Sequence, residues 1–421
     1  MIPRRATAGL GAAAQAFIGA GVSLAQPHII PIPILPGSTY TRVIPRAVSA
    51  DGSIIVGSND SRSSAVPAIA FMWQNQTGPI PIPGLSELWP QTIARGVSSV
   101  GPTIVGDLTR ADYTGAGFRW SPSTGAQLLA GPTGSTVGTY ACAITPDGAA
   151  IIGSCDRHCT RWRATGPQEL PQPPGSASGL GIAVTPDGSI VVGDLSIGGG
   201  TWLATLWQPG SDPQQLGAFS SWPETNANAI TSSGDAIVGE AINSSGWSAA
   251  FRWTSSLGME FIGFVRPTDV DASLTGITAD GRAAVGYSAP NFGLESHRAA
   301  IWREGRGFQY LSDVLVSEYG VDLGTWTLHF AYAITPDGSV IIGNGSRDGT
   351  TIEGWLIRLD CYPNCDGSTA PPVLNVNDFI CFLNRFAAGD TYANCDASTT
   401  PPVLTVNDFV CFLNRFVSGC P

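Results

Sequence analysis

In AYAITPDGSVIIG, residues 331 to 343, two short β-prone pieces flank the turn TPDG, and a second glycine, Gly343, stands five residues after Gly338. Pro336 suits the second position of a type I turn, Asp337 the third, and Gly338 the left-handed residue that follows, so the stretch reads as a hairpin with a three-residue bulged loop. The unit recurs seven times. Its turns are SADG (49 to 52), SSVG (98 to 101), TPDG (145 to 148), TPDG (185 to 188), TSSG (231 to 234), TADG (278 to 281) and TPDG (335 to 338). Each is followed at the same distance by a second glycine: Gly57, Gly106, Gly153, Gly193, Gly239, Gly286 and Gly343.

A third strand with a Trp at or near its end follows each hairpin: Trp73, Trp120, Trp162, Trp207, Trp253, Trp302 and Trp355. Their spacings of 42 to 53 residues are those of four-stranded propeller blades, and the repeated indoles are expected to pack between blades. A short Leu/Ile/Pro fourth strand follows each of the first six. The seventh is missing after Trp355, but residues 30 to 36 supply an equivalent before the first hairpin. The expected fold is therefore all-β, a seven-bladed β-propeller whose N-terminal strand closes the last blade, with a small α-helical module after it.

These units resemble the extracellular HAF-repeat proteins, whose repeat runs roughly AxxIxxDGxxIVG and then AFxW. The resemblance spans residues 29 to 360 and implies export and a propeller-like fold, with no established activity.

Composition agrees with a turn-rich globular chain: 421 residues, 43% hydrophobic, 13% charged, 52 Gly and 32 Pro. The net charge is -11 and every basic residue is arginine, so no basic stripe exists to neutralise nucleic acid or an anionic membrane. Residues 1 to 25, with Arg4 and Arg5 before a small-residue apolar run, read as a signal peptide. A chain exported to the cell surface, medium or periplasm is expected, with no membrane span after cleavage. The propeller takes residues 26 to 360 and the module residues 361 to 421.

The module is a near-duplicate with a period of 30, NCDGSTAPPVLNVNDFICFLNRF and NCDASTTPPVLTVNDFVCFLNRF. It resembles dockerin repeats, each a calcium loop followed by a helix, in their Cys-containing, Gly-Cys-ending form. The resemblance implies calcium ligands at Asn364, Asp366, Ser368, Val373 (through its carbonyl), Asn375 and Asp378, then at Asn394, Asp396, Ser398, Val403, Thr405 and Asp408. It also implies a cohesin-like partner. Each loop carries extra residues around its Pro-Pro pair and only two carboxylates, and loops held by disulfides alone are the alternative. Phe379, Phe382, Leu383 and Phe386 form one apolar stripe, repeated thirty residues later.

Six of the nine cysteines lie in the module. The simplest pairing joins Cys365 to Cys381 and Cys395 to Cys411 within the copies, with Cys361 clasped to Cys420. In the long domain His158 within CDRHC leaves zinc one ligand short, and a Cys155 to Cys159 disulfide with Cys142 free is expected.

Nothing in the sequence matches a nucleophile elbow, zinc-protease helix, phosphate loop or dinucleotide fingerprint. Non-catalytic binding or surface structure is the principal reading, toward an unknown glycan or protein. Trp89, Trp202, Trp222, Trp247 and Trp326 fall in connections opposite the Asp-Gly turns, with Asp107, Asp194, Glu240 and Asn344 edging that face. They form either an aromatic platform or caps on the blades. The alternative is a secreted glycoside hydrolase or lyase whose paired carboxylates meet in the central pocket.

Overall fold

The computed structural model describes residues 29–61, 66–74, 77–85, 89–110, 114–134, 136–359, 364–366, 374–390, 393–395 and 402–418. The expected signal peptide, the Cys361 to Cys420 clasp and Ser368, Val373, Asp396 and Ser398 lie outside them.

Seven antiparallel four-stranded sheets make a β-propeller. In the first blade β2 (Arg42–Val48), β3 (Ile55–Asp60), β4 (Ile69–Gln74) and β5 (Gly78–Pro81) are hydrogen-bonded in sequence order, and five further blades repeat this plan. The seventh is different. It is built from β26 (Thr327–Ile334), β27 (Val340–Ser346), β28 (Glu353–Arg358) and β1 (Ile29–Ile32) in the order β1-β28-β27-β26, with Ile29 of β1 facing Ile357 of β28 and Ile32 facing Gly354. The first of the described strands thus closes the last blade, and each of the seven blades has its outer strand.

Each turn is locked by its own first residue. In all seven units the Ser or Thr hydroxyl accepts the backbone N–H five residues on, at 2.8 to 3.1 Å. The turn aspartate takes that hydroxyl's proton side, as in Thr145 to Asp147 and Thr335 to Asp337 at 2.6 Å. The side chains therefore satisfy backbone donors that the tight loop would orphan.

The second glycine has a separate cause. Opposite each one the innermost strand carries a β-bulge, for example between Pro45 and Ala47 or Ala227 and Ala229. A Cβ on any of the seven would fall 1.8 to 2.0 Å from a carbonyl oxygen of that strand, as Gly153 would from Tyr140 or Gly193 from Leu180. No side chain fits there.

All seven repeated tryptophans are buried between blades. Six share one register position, Trp73 opposite Ile55 and Trp253 opposite Ile237. Trp355 does not. It faces Gly343, the place of Phe71 opposite Gly57, while Ile357 takes the Trp position opposite Ile341. A helix the repeat did not foretell, α1 (Leu311–Tyr319), follows the sixth blade and buries Leu311, Val314 and Leu315.

The expected Cys155 to Cys159 disulfide is absent: both thiols are free and buried. Cys155 pairs with His158 across a two-residue turn, and Cys159 with Ser154, so the two side chains leave opposite faces of the hairpin. Cys155 packs with Trp162 in one layer and Cys159 with Trp207 in the next.

In the module α2 (Val376–Ala387) and α3 (Val406–Ser418) pack through Phe382 and Phe412, stacked at 4.1 Å. Cys365 is bonded to Cys381 and Cys395 to Cys411. Leu383, placed in the apolar stripe from sequence, is exposed. Among the described residues no helix is long and apolar enough to cross a membrane.

Candidate functional site

The four polar residues expected to edge a binding face instead join blades. Each follows a second glycine and reaches toward the neighbouring blade's innermost strand. Asp107 accepts the Ala141 N–H and is ion-paired with Arg95, and Asp194 accepts the Ala227 N–H at 2.8 Å. Glu240 sits by Asn226 of its own blade and Ser273 of the next. At the closure the residue equivalent to Ala141 is Pro45, which has no N–H to give; there Asn344 donates instead, to the Val43 carbonyl at 3.2 Å.

Desolvation, helped by the Glu240 charge, pushes the Asp194 carboxyl up to about 8. A folded-state pKa above the unfolded value means that the native chain holds a proton the unfolded chain releases, so this group's contribution to stability falls as pH rises from about 4 to about 8. Asp194→Asn keeps the acceptor for Ala227 and removes the charge. It is expected to flatten that fall and, with the shift discounted for partial exposure, to gain about 3 kcal/mol at pH 9, measured by urea unfolding.

Four of the five additional tryptophans lie in connections opposite the turns and Trp202 begins a strand at the same end, but they do not form a bare row. Trp89 is buried beneath the Arg110 guanidinium, and Trp222 packs on Phe261 and Phe264. Trp326 lies under Arg347, and Trp202 is half-buried at the start of β16 (Trp202–Trp207). Trp247 stacks on exposed Phe292 at 4.0 Å. These rings are largely occupied as caps.

A cavity of about 350 Å³ lies instead along the inner strands, on the turn side of their bulges. Its lining includes the extra residue of the bulge in five consecutive blades: Arg46, Arg95, Cys142, Ile182 and Asn228. The corresponding residues of the last two blades are Thr275 and Tyr332. A bulged residue has no partner across the ladder, which frees its side chain to be aimed elsewhere. The sequence held a signal for this set. Aligned on the turns, the units read RAVS, RGVS, CAIT, IAVT, NAIT, TGIT and YAIT, one variable position beside three nearly constant ones.

The cavity lining holds two arginines and no carboxylate. Arg95 is paired with Asp107, and nearby Arg42 with Asp60 at 2.7 Å. Arg46 has neither ion pair nor hydrogen bond among the described residues, and its Nε is buried without a partner. Burial, and then repulsion by Arg95, pull its guanidinium below the ordinary range. The Cys142 thiol is pushed up to about 12, chiefly by desolvation, so it is neutral at physiological pH.

In the module, Asn375 caps α2 by accepting the Asn377 N–H, and Asp378 accepts the N–H groups of Asn375 and Asp366. Thr405 and Asp408 repeat this at α3. Asp378 is fully buried, and its carboxyl is raised by that burial and by the Asp366 charge. Carboxylate oxygens retain lone pairs beyond these bonds, but among the described residues no group of three or more His, Cys, Asp or Glu side chains stands together that could hold a metal ion.

No protein-family model matches the chain, and no curated protein does. Solved structures similar in shape include TolB from Acinetobacter baumannii, 13% identical over 79% of this chain and 98% of that one, with a TM-score of 0.41. Kuenenia stuttgartiensis hydrazine synthase is 11% identical over 77% of this chain and 99% of that one, TM-score 0.48. The β-propeller domain of the Trilobed protease from Pyrococcus furiosus is 10% identical over 76% and 95%, TM-score 0.47.

Proposed function

We propose that the chain is an exported, non-catalytic binding protein of the HAF-repeat kind, whose propeller takes its ligand in the axial cavity and whose module anchors it. The observation that carries the reading is the variable bulge position. Seven units keep their turns, second glycines and flanking residues, yet differ where five of them line one cavity. Packing asks for uniformity there; recognition asks for difference.

The C-terminal module is proposed as a dockerin-like anchor holding calcium through Asp366 and Asp378 and their copies, with a cohesin-like protein as partner. Its disulfides and paired phenylalanines give a small core the staples it needs to present two helices.

Both parts are tested on the full oxidised chain. A panel of glycans, peptides and small metabolites is expected to yield a ligand whose binding is lost in Ile182→Trp, which fills the cavity. Binding that survives this substitution moves the site elsewhere. Calorimetry is expected to show calcium uptake by the module at millimolar concentration; none would leave disulfides as its only staples.

A further inference from the structure

We propose that the axial cavity is a carboxylate site, with Arg46 as its anchoring cation and a small monocarboxylate with an apolar body as its ligand class. The proposal rests on the reading of this cavity as the propeller's binding site and adds the chemistry of the ligand.

Charge is the first argument. Arg46 is the guanidinium of this region left without a direct ion pair: Arg42 has Asp60, Arg95 has Asp107, and Arg46 stands against Arg95 with its Nε buried and unpartnered, feeling Asp107 and Asp60 only at longer range. A half-buried cation beside a like charge weakens the fold unless something compensates it. The fold itself does not ask for one. At the same bulge position the second blade carries Arg95, which has Asp107, and the other five carry Cys142, Ile182, Asn228, Thr275 and Tyr332, all neutral.

The ligand's character follows from the rest of the lining. Two guanidiniums and the single carboxylate of Asp107 leave one positive charge, which suits a monoanion. The planar fork of arginine pairs with a carboxylate through two parallel hydrogen bonds. Beyond the arginines the walls are mostly aliphatic, Val48, Val97, Ile144 and Ile182, with Cys142 and Asn228 among them, so the body of the ligand is largely apolar. The cavity's size, about 350 Å³, falls at the lower end for small-molecule sites. On the same end of the propeller the turns carry Asp51, Asp147, Asp187, Asp280 and Asp337, which disfavour polyanions.

The test uses the full chain and matched probes: benzoate and hexanoate, their neutral counterparts benzamide and hexanol, and inorganic phosphate. Calorimetry and thermal melting should show the carboxylates binding at least about tenfold more tightly than the neutral probes, a difference abolished in Arg46→Gln. The melting temperature of ligand-free Arg46→Gln should rise, because the substitution removes an uncompensated charge and keeps hydrogen-bonding capacity. Equal binding of benzoate and benzamide, undiminished benzoate binding by Arg46→Gln, or a preference for phosphate overturns the carboxylate assignment. The two readings fail separately. A neutral ligand lost in Ile182→Trp sinks the carboxylate and leaves the cavity as the site, whereas carboxylate binding that survives Ile182→Trp overturns both.

Discussion

Deleting residues 29 to 36 is expected to convert the chain from a folded ring into an aggregating species. β1 supplies the outer strand of the seventh blade, and with it go the fully buried Ile32, the buried Leu35 and the ladder to β28. Leu35 also donates its N–H to the Asn59 side chain at 3.0 Å, so the same segment ties the last blade to the first. Two buried aliphatic side chains represent about 3 to 6 kcal/mol, and the edge hydrogen bonds add to that, a loss comparable with the whole stability of many domains. The exposed edge would be β28, with Trp355, Leu356 and Ile357, a hydrophobic strand open to pairing with another copy. Light scattering and gel filtration of the deletion variant check this. Ile32→Asp, which keeps the strand's backbone but breaks its packing, should lower the melting temperature without removing the ladder. A monomeric deletion variant that melts like the parent would overturn the closure argument.

Substituting a second glycine should be nearly as damaging and should discriminate sharply among glycines. In Gly193→Ala the new methyl would meet the Leu180 carbonyl oxygen at 1.9 Å, so the bulge or the strand pair must move by about an ångström. A cost of about 3 to 5 kcal/mol is expected, by urea unfolding. Gly101→Asn is the control. Gly101 has a left-handed φ of 58° with nothing within 4 Å, and asparagine tolerates that conformation, so its cost should stay below about 1 kcal/mol. Equal effects at both sites would mean that the carbonyl approach is not what requires glycine.

The outline of the fold was legible in residues because its signals are local and repeated. A TPDG turn chooses its own conformation wherever it stands, and alternation on either side marks strands without reference to the rest of the molecule. Counting fourth strands was enough to assign residues 30 to 36 to the last blade. The bridges within each module copy followed from the period of 30. Cys155 and Cys159, in contrast, were separated only by the structure. Asp156 and Arg157 make a two-residue turn with φ values of 47° and 69°, which fixes Cys155 opposite His158 and turns Cys159 to the other face.

The site was another matter. Asp107, Asp194, Glu240 and Asn344 looked like a polar rim because they are polar residues beside glycines; only the neighbouring blade, from 33 to 301 residues away in the chain, shows them joining strands. Trp355 looked like the seventh copy of a residue whose place Ile357 holds, since register along a strand is decided by its partner and not by its own letters.

The sequence by itself determined the number of blades, the hairpin at the heart of each, the closing strand and the duplicated, stapled module, because turn geometry and strand alternation act over a few bonds. Tertiary structure alone decided why the second glycine must be glycine, which residue of each inner strand is extruded by the bulge, and that Arg46 and Arg95 meet at one cavity. Those facts depend on how closely two strands approach and on how seven sheets stand about one axis, distances that no short stretch of chain encodes.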